Sequence, residues 1–304
     1  MAAKLAMESV TMKQNKKKRD RKNLLTAYSF IMPNFLGFFI FTLIPVIFSF
    51  ILAFVEWDSF STPVFVGLEN FQKMLHDTTF WISFKNTIYY TVGVVPLTLV
   101  CSLGLAILLN QKIRGMKFYR TAFFFPYVTS LVAIAVVWNM LFHPTMGPIN
   151  QFLQLFIENP PGWTTSTTWA MPAIIIVSVW RGMGYYMILY LAGLQGIPKE
   201  LYEAASIDGA SKWNQFLNVT LPSLKPTTFF VTIMLVINCF KVFDLVQVMT
   251  NGGPGRSTNV LVYNIYNEAF VNFKFGYASA ISFVLFILVL GITVVQFKIN
   301  ERSN

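Results

Sequence analysis

Arg181 stands inside the apolar run 170–193, flanked by Trp180, Gly182, Gly184, Tyr185 and Tyr186. An ionisable side chain in such a run is costly unless it faces a cavity or a partner. The chemistry on offer is recognition. A guanidinium donates hydrogen bonds, aromatic rings present flat faces to the C–H surface of a sugar, and glycines let a backbone approach. The alternative is structural, with Arg181 paired to a carbonyl or carboxylate of a neighbouring chain. A second run, 226–248, carries Asn238, Lys241 and Asp244 at steps of three. On a continuous helix Lys241 and Asp244 share a face and neutralise each other. Asn238 is then the better candidate for a polar path, and the charged pair shapes its outer gate. Trp180, Arg181, Gly184, Tyr185, Asn238, Lys241 and Asp244 are therefore the pathway candidates.

Catalysis finds no support in the same residues. The two histidines, His76 and His143, have no ligand spacing around them. Cys101 and Cys239 lie in apolar runs, where a cysteine behaves as a small hydrophobe. The segment NGGPGRST lacks the Gly-Lys-Ser/Thr step of a phosphate loop and no strand precedes it. We expect no cofactor, nucleotide or metal to be bound by this chain.

The elements that must position these residues are membrane spans. Charged residues make up 12% of the 304, against roughly 25% in a soluble domain, and mean hydropathy is +0.57. A bilayer core needs about 20 apolar residues as helix. Six stretches qualify, near 31–54, 86–109, 120–142, 170–193, 226–248 and 276–298. Pro33, Pro45, Pro96 and Pro126 fall within them and predict kinks rather than ends. Eight basic residues, Lys4, Lys13, Lys16, Lys17, Lys18, Arg19, Arg21 and Lys22, precede the first run. We read this block as a topology signal and expect no nucleic-acid partner. The first run is longer than a signal-peptide core and has no small-residue cleavage site behind it, so it is expected to be retained. With the N-terminus inside, 17 basic residues fall on the inner side and 4 in the outer loops. The positive-inside rule then predicts both termini in the cytoplasm.

That orientation puts residues 197–222, IPKELYEAASIDGASKWNQFLNVTLP, on the cytoplasmic face. Pro198 suits the first turn of a helix. Leu201, Ala204 and Ala205 share one face and Lys199 and Glu203 pair on another. Gly209 can end the helix in a left-handed conformation. Ser211 can cap a second helix with Trp213, Phe216 and Leu217 as its apolar stripe. The residues alone leave two readings open: an amphipathic loop packed under its own spans, or a docking knob for a cytoplasmic partner.

The spacing Glu203-Ala204-Ala205, Gly209, Val219-x-Leu221-Pro222 resembles the EAA loop of permease subunits of binding-protein-dependent ABC importers, with Val219 in place of isoleucine. FVGLENF, WRGMGYYMILYLAGLQGIP, FKVFDLVQVMTNGGPGRST, NIYNEAF and FGYASA resemble the carbohydrate-uptake branch, of the short multiple-sugar or glycerol-phosphate type. The resemblance implies an all-α integral membrane protein of six transmembrane helices with the type I importer permease fold. It implies a basic tail over 1–24 and a permease domain over 25–300 that includes a coupling loop at 196–222. Glu203, Ala204, Ala205, Asp208, Gly209, Leu221 and Pro222 are the implied contacts to an ATPase. The implied partners are a second homologous permease, two ATPase subunits holding ATP and Mg, an extracytoplasmic solute-binding protein, and the lipid of a bacterial or archaeal cytoplasmic membrane. The implied cargo is a sugar or oligosaccharide, with an anionic relative such as a uronate oligosaccharide or glycerol phosphate as the alternative. An ion-coupled secondary transporter is disfavoured, because such proteins often carry inverted repeats and a carboxylate relay, whereas the spans here hold one acid, Asp244.

Overall fold

The computed structural model describes residue 24 and residues 26–111 and 114–303. The eight N-terminal basic residues, Lys112 and the side chain of Arg302, all used above to orient the chain, lie outside that description. Two compact units are formed, Met1–Leu52 and Ala53–Asn304.

The first unit contains helix α1, Thr26–Leu52. Proline lacks an amide hydrogen and its ring crowds the carbonyl four residues back. Before Pro45 the helix widens into a π turn, Phe39–Leu43, closed by the Ile44 amide bonding to the Phe39 carbonyl. The wider turn takes up the mismatch without breaking the span. The same device recurs before Pro222, where Phe216–Thr220 is a π turn closed from Leu221 to Phe216.

The second unit opens with a short hairpin, β1 Val55–Glu56 and β2 Val64–Phe65, paired antiparallel with Val55 opposite Phe65. Helix α2, Glu69–His76, leads into α3, Thr78–Leu109. Then follow α4 Met116–Val128, α5 Leu131–Leu141, α6 Pro148–Leu153 and α7 Ala170–Gln195. The chain continues through α8 Lys199–Ile207, α9 Lys212–Ser223, α10 Lys225–Phe240 and α11 Asp244–Met249. It closes with α12 Leu261–Tyr266 and α13 Phe275–Ser303.

Among the described residues four helices are long and apolar enough to cross a membrane: α1, α3, α7 and the Phe275–Glu301 part of α13. Two bent pairs bring the number to six if each pair is one span: α4 with α5, at 98°, and α9 with α10, at 63°. The expected third span, 120–142, is therefore not one straight helix. Pro126 withholds an amide there, and the Thr129 hydroxyl donates to the Phe125 carbonyl at 2.9 Å. The Thr129 amide bonds to the same carbonyl at 3.2 Å, so this carbonyl closes the last turn twice over, and Thr129 itself is extended, with ψ 149°.

Helix α7 is the centre of the unit and packs along α3 and α4. One apolar cluster gathers Met171, Ile174 and Val177 with Phe142, Trp163 and Tyr263; a second gathers Met187, Tyr190 and Leu194 with Leu224 and Val231. In lipid, burying a leucine gains little over the acyl chains, so close backbone contact matters more. At Gly184 an added Cβ would run into the Phe123 carbonyl oxygen. That glycine is what lets α4 and α7 touch.

Asp77 ties two span ends together. Its Oδ1 accepts from the Thr79 amide at 2.7 Å, capping α3, and its Oδ2 accepts from the Tyr277 hydroxyl of α13 at 2.6 Å. A carboxylate at a helix N-terminus is also favoured by the helix dipole. Nearby, Asp58 Oδ1 accepts from the amides of Phe60 and Ser61 and from the Ser61 hydroxyl. The Ser61 amide bond, then the Ser61 hydroxyl and Phe60 amide bonds, hold the carboxyl down at about 2, from an ordinary value of 3.8. A lowered folded value means that the turn's stabilisation is complete above the unfolded value and is lost as pH falls through about 2. The protection of the Phe60 and Ser61 amides, their exchange relative to the intrinsic rate at each pH, should therefore hold above the ordinary carboxylate value of 3.8 and fall as the pH drops to about 2. Protection already absent near neutral pH would show that the carboxylate does not hold this turn.

Candidate functional site: a stapled helix pair and a charged cavity

The segment flagged at 197–222 folds as two short helices, α8 and α9. Pro198 is the N-cap of α8, one position ahead of the first turn expected for it. The helix ends in a Schellman turn: the Ala210 amide bonds to the Ala205 carbonyl at 2.9 Å and the Gly209 amide to Ser206 at 3.1 Å. Gly209 has φ +76°, the left-handed conformation expected of it. Ser211 then caps α9, its hydroxyl accepting from the Asn214 amide at 3.2 Å.

Side chains that the sequence did not single out staple the pair. Gln215 Nε2 donates to the Ser206 hydroxyl at 2.9 Å, and the Tyr202 and Thr220 hydroxyls share a bond of 2.9 Å. The expected Lys199–Glu203 pair does not form. Among the described residues the ion pairs are Lys73–Glu56, Lys73–Glu69 and Lys274–Glu268. Glu203, Ala204, Asp208 and Pro222 are exposed, while Ala205 and Leu221 are half-buried. Around them Ile207 is 86% and Trp213 66% exposed, and Leu201 and Leu217 also face outward. The pair packs Tyr202 and Val219 against the spans and shows outward both the charges of Glu203 and Asp208 and the apolar side chains of Leu201, Ile207, Trp213 and Leu217.

Four of the seven pathway candidates meet in one cavity of about 350 Å³: Arg181, Asn238, Lys241 and Asp244. Helix α3 contributes Tyr90 and Thr98, and α4 contributes Tyr127. Arg181 Nη2 donates to the Tyr127 carbonyl at 3.1 Å, and its guanidinium carbon stands 5.1 Å from the Tyr127 ring centre. Asn238 Nδ2 donates to the Tyr186 hydroxyl at 3.3 Å, and the Tyr90 hydroxyl donates to Ser178 at 2.8 Å. The other three candidates are placed elsewhere. Gly184 faces Phe123, Trp180 packs edge-on against Trp138 at 5.4 Å, and Tyr185 stacks on Tyr127 at 4.4 Å.

The helix expected over 226–248 is also corrected. It ends at Phe240, and residues 241–243 break away before α11 begins at Asp244. Lys241 and Asp244 therefore share no helix face and form no ion pair. Each charge instead matches a helix end: Lys241 is the C-cap of α10, and Asp244 opens α11. A cation at a C-terminus and an anion at an N-terminus are the favoured placements for the helix dipole. Thr98, a further lining residue, gave no sequence signal, because threonine within an apolar helix is common.

A family model described as the inner membrane component of a binding-protein-dependent transport system matches residues 98–302. The chain belongs to this family. The match takes in the cavity's Thr98 and Arg181 and the whole stapled pair. The starch degradation products transport system permease protein AmyD of Thermoanaerobacterium thermosulfurigenes, a probable assignment, is 33% identical over 95% of this chain and 98% of its own. The sn-glycerol-3-phosphate transport system permease protein UgpA of Yersinia enterocolitica is 38% identical, over 79% of this chain and 81% of its own. Among solved structures, a chain of a bacterial alginate ABC transporter in complex with an alginate pentasaccharide-bound periplasmic protein superposes with a TM-score of 0.83. It covers 94% of this chain and 97% of that one, at 22% identity. The fold is thus that of type I ABC importer permeases, and the chain is a multi-pass transport subunit of a binding-protein-dependent system.

Proposed function

We propose that this chain is one of two permease subunits in an ATP-driven importer of a sugar, oligosaccharide or closely related solute, and that α8 and α9 are its socket for an ATPase. The observation that carries the reading is the stapled pair with outward-facing Glu203, Ile207 and Trp213. It is joined without slack to the cavity walls. Helix α7 runs unbroken from Arg181 to Gln195, about 21 Å at 1.5 Å per residue, and α10 follows α9 after Leu224. A push on the pair therefore reaches α7, which carries Arg181, and α10, which Lys241 caps. Relatives named for starch products and glycerol phosphate support the solute class.

In this reading the helix pair and both termini face the cytoplasm, and two ATPase subunits hold ATP and Mg. A binding protein delivers solute from the opposite side. The test is purification of the chain with its neighbours, followed by ATP hydrolysis in lipid. Two ATPase copies and a second permease should co-purify, and loaded binding protein should raise hydrolysis. Uptake driven by a proton gradient with this chain alone would overturn the reading.

A further inference from the structure

We infer that the cavity between α3, α7 and α10 accepts the anionic group, carboxylate or phosphate, of an acidic saccharide or phosphorylated polyol. The inference rests on the reading of this cavity as part of the transport path. Its lining holds two cations, Arg181 and Lys241, and one acid, Asp244. No carboxylate among the described residues lies within ion-pair distance of either cation. Lys241 and Asp244 are exposed, whereas Arg181 is part-buried, and a charge held inside a membrane protein is ordinarily paired. Arg181 is only partly satisfied. One of its amino groups bonds to the Tyr127 carbonyl, while its Nε is buried with no hydrogen-bond partner.

Thr98 supplies an independent observation. The residue is fully buried and lines the cavity, and its hydroxyl has no hydrogen-bond partner. A helical threonine ordinarily returns its hydroxyl to a carbonyl of the preceding turn, as Thr87 and Thr91 do in the same helix. A buried donor left open in this way costs stability unless something binds it. Arg181 Nε and the Thr98 hydroxyl thus stand buried and unpaired in residues that line a cavity with one surplus positive charge. A carboxylate or phosphate matches the guanidinium's donor geometry, which a lone hydroxyl does not. The volume suits a small solute or one end of an oligosaccharide.

The test is the rate at which an acetylating reagent labels Lys241 in the intact importer in lipid nanodiscs, read by mass spectrometry. Glucuronate, glycerol phosphate and glucose are compared at equal concentration, with exposed Lys298 of α13 as the internal control. Glucuronate or glycerol phosphate should slow labelling of Lys241 several-fold and leave Lys298 unchanged, and Arg181→Gln should remove that protection. Protection by glucuronate alone assigns a uronate, and protection by glycerol phosphate assigns a phosphorylated polyol. Equal labelling under all three, or equal protection by glucose, overturns the inference. If ATP hydrolysis still responds to loaded binding protein in that case, the importer reading survives and the charge selectivity alone falls. Protection by an anion with no such response would sink the importer reading instead.

Discussion

Gly184→Ala should destabilise the protein by about 3 kcal/mol, the upper part of the usual range for overpacking. The added methyl meets the Phe123 carbonyl oxygen, and both partners are backbone, so no side chain can rotate away. Helices α4 and α7 would have to part. The Arg181–Tyr127 hydrogen bond and the Tyr185–Tyr127 stack cross this same interface and would lengthen with it. In detergent the melting temperature should fall by about 6–12 °C, taking 2–4 °C per kcal/mol for a body of this size. A melting temperature unchanged from wild type, combined with altered solute selectivity, would return Gly184 to the transport path.

Gly209→Val should abolish uptake while leaving the protein inserted and folded. Space is not the obstacle, since nothing lies within 4 Å of a Cβ built at this position. The obstacle is φ +76°, which a β-branched residue adopts only under strain. Forcing the residue out of that region breaks the bonds from Gly209 to Ser206 and from Ala210 to Ala205 and swings α9 away from α8. The change is confined to an exposed turn, and the apolar clusters around α7 are met by the pair only at the margin, through Tyr202 and Val219. Uptake of labelled solute, set beside membrane-fraction abundance and ATP hydrolysis, is the measurement. Hydrolysis that no longer responds to loaded binding protein, at normal abundance, is the expected pattern of uncoupling. Uptake at the wild-type rate would show that this turn does not transmit the ATPase stroke.

The helix pair was legible in the sequence because its signals are local. A cap at Ser211, a left-handed glycine at 209 and prolines at 198 and 222 act within a few residues of themselves, and the structure placed each where local chemistry demands. The staple through Gln215, Tyr202 and Thr220 was not legible. It joins residues up to 18 apart in sequence that meet only once the turn has formed. Apolar length likewise marked where α3, α7 and α13 lie, whereas the bends at Thr129–Ser130 and Lys241–Phe243 left no comparable mark. Neither carries a glycine or a proline at the break itself.

What the sequence by itself determined is where the apolar segments lie, their connecting helix pair and the family, since these rest on hydropathy, on local turn chemistry and on fixed spacing. Tertiary structure alone decided which polar residues share a cavity. It joined Arg181 with Thr98 and with a Lys241 freed from its supposed partner, and it moved Trp180, Gly184 and Tyr185 into packing. The reason is geometric. Periodicity tells which residues share a helix face, but the direction that face points depends on how neighbouring backbones approach, and here that approach is set by Gly184 against Phe123 and by the break after Phe240.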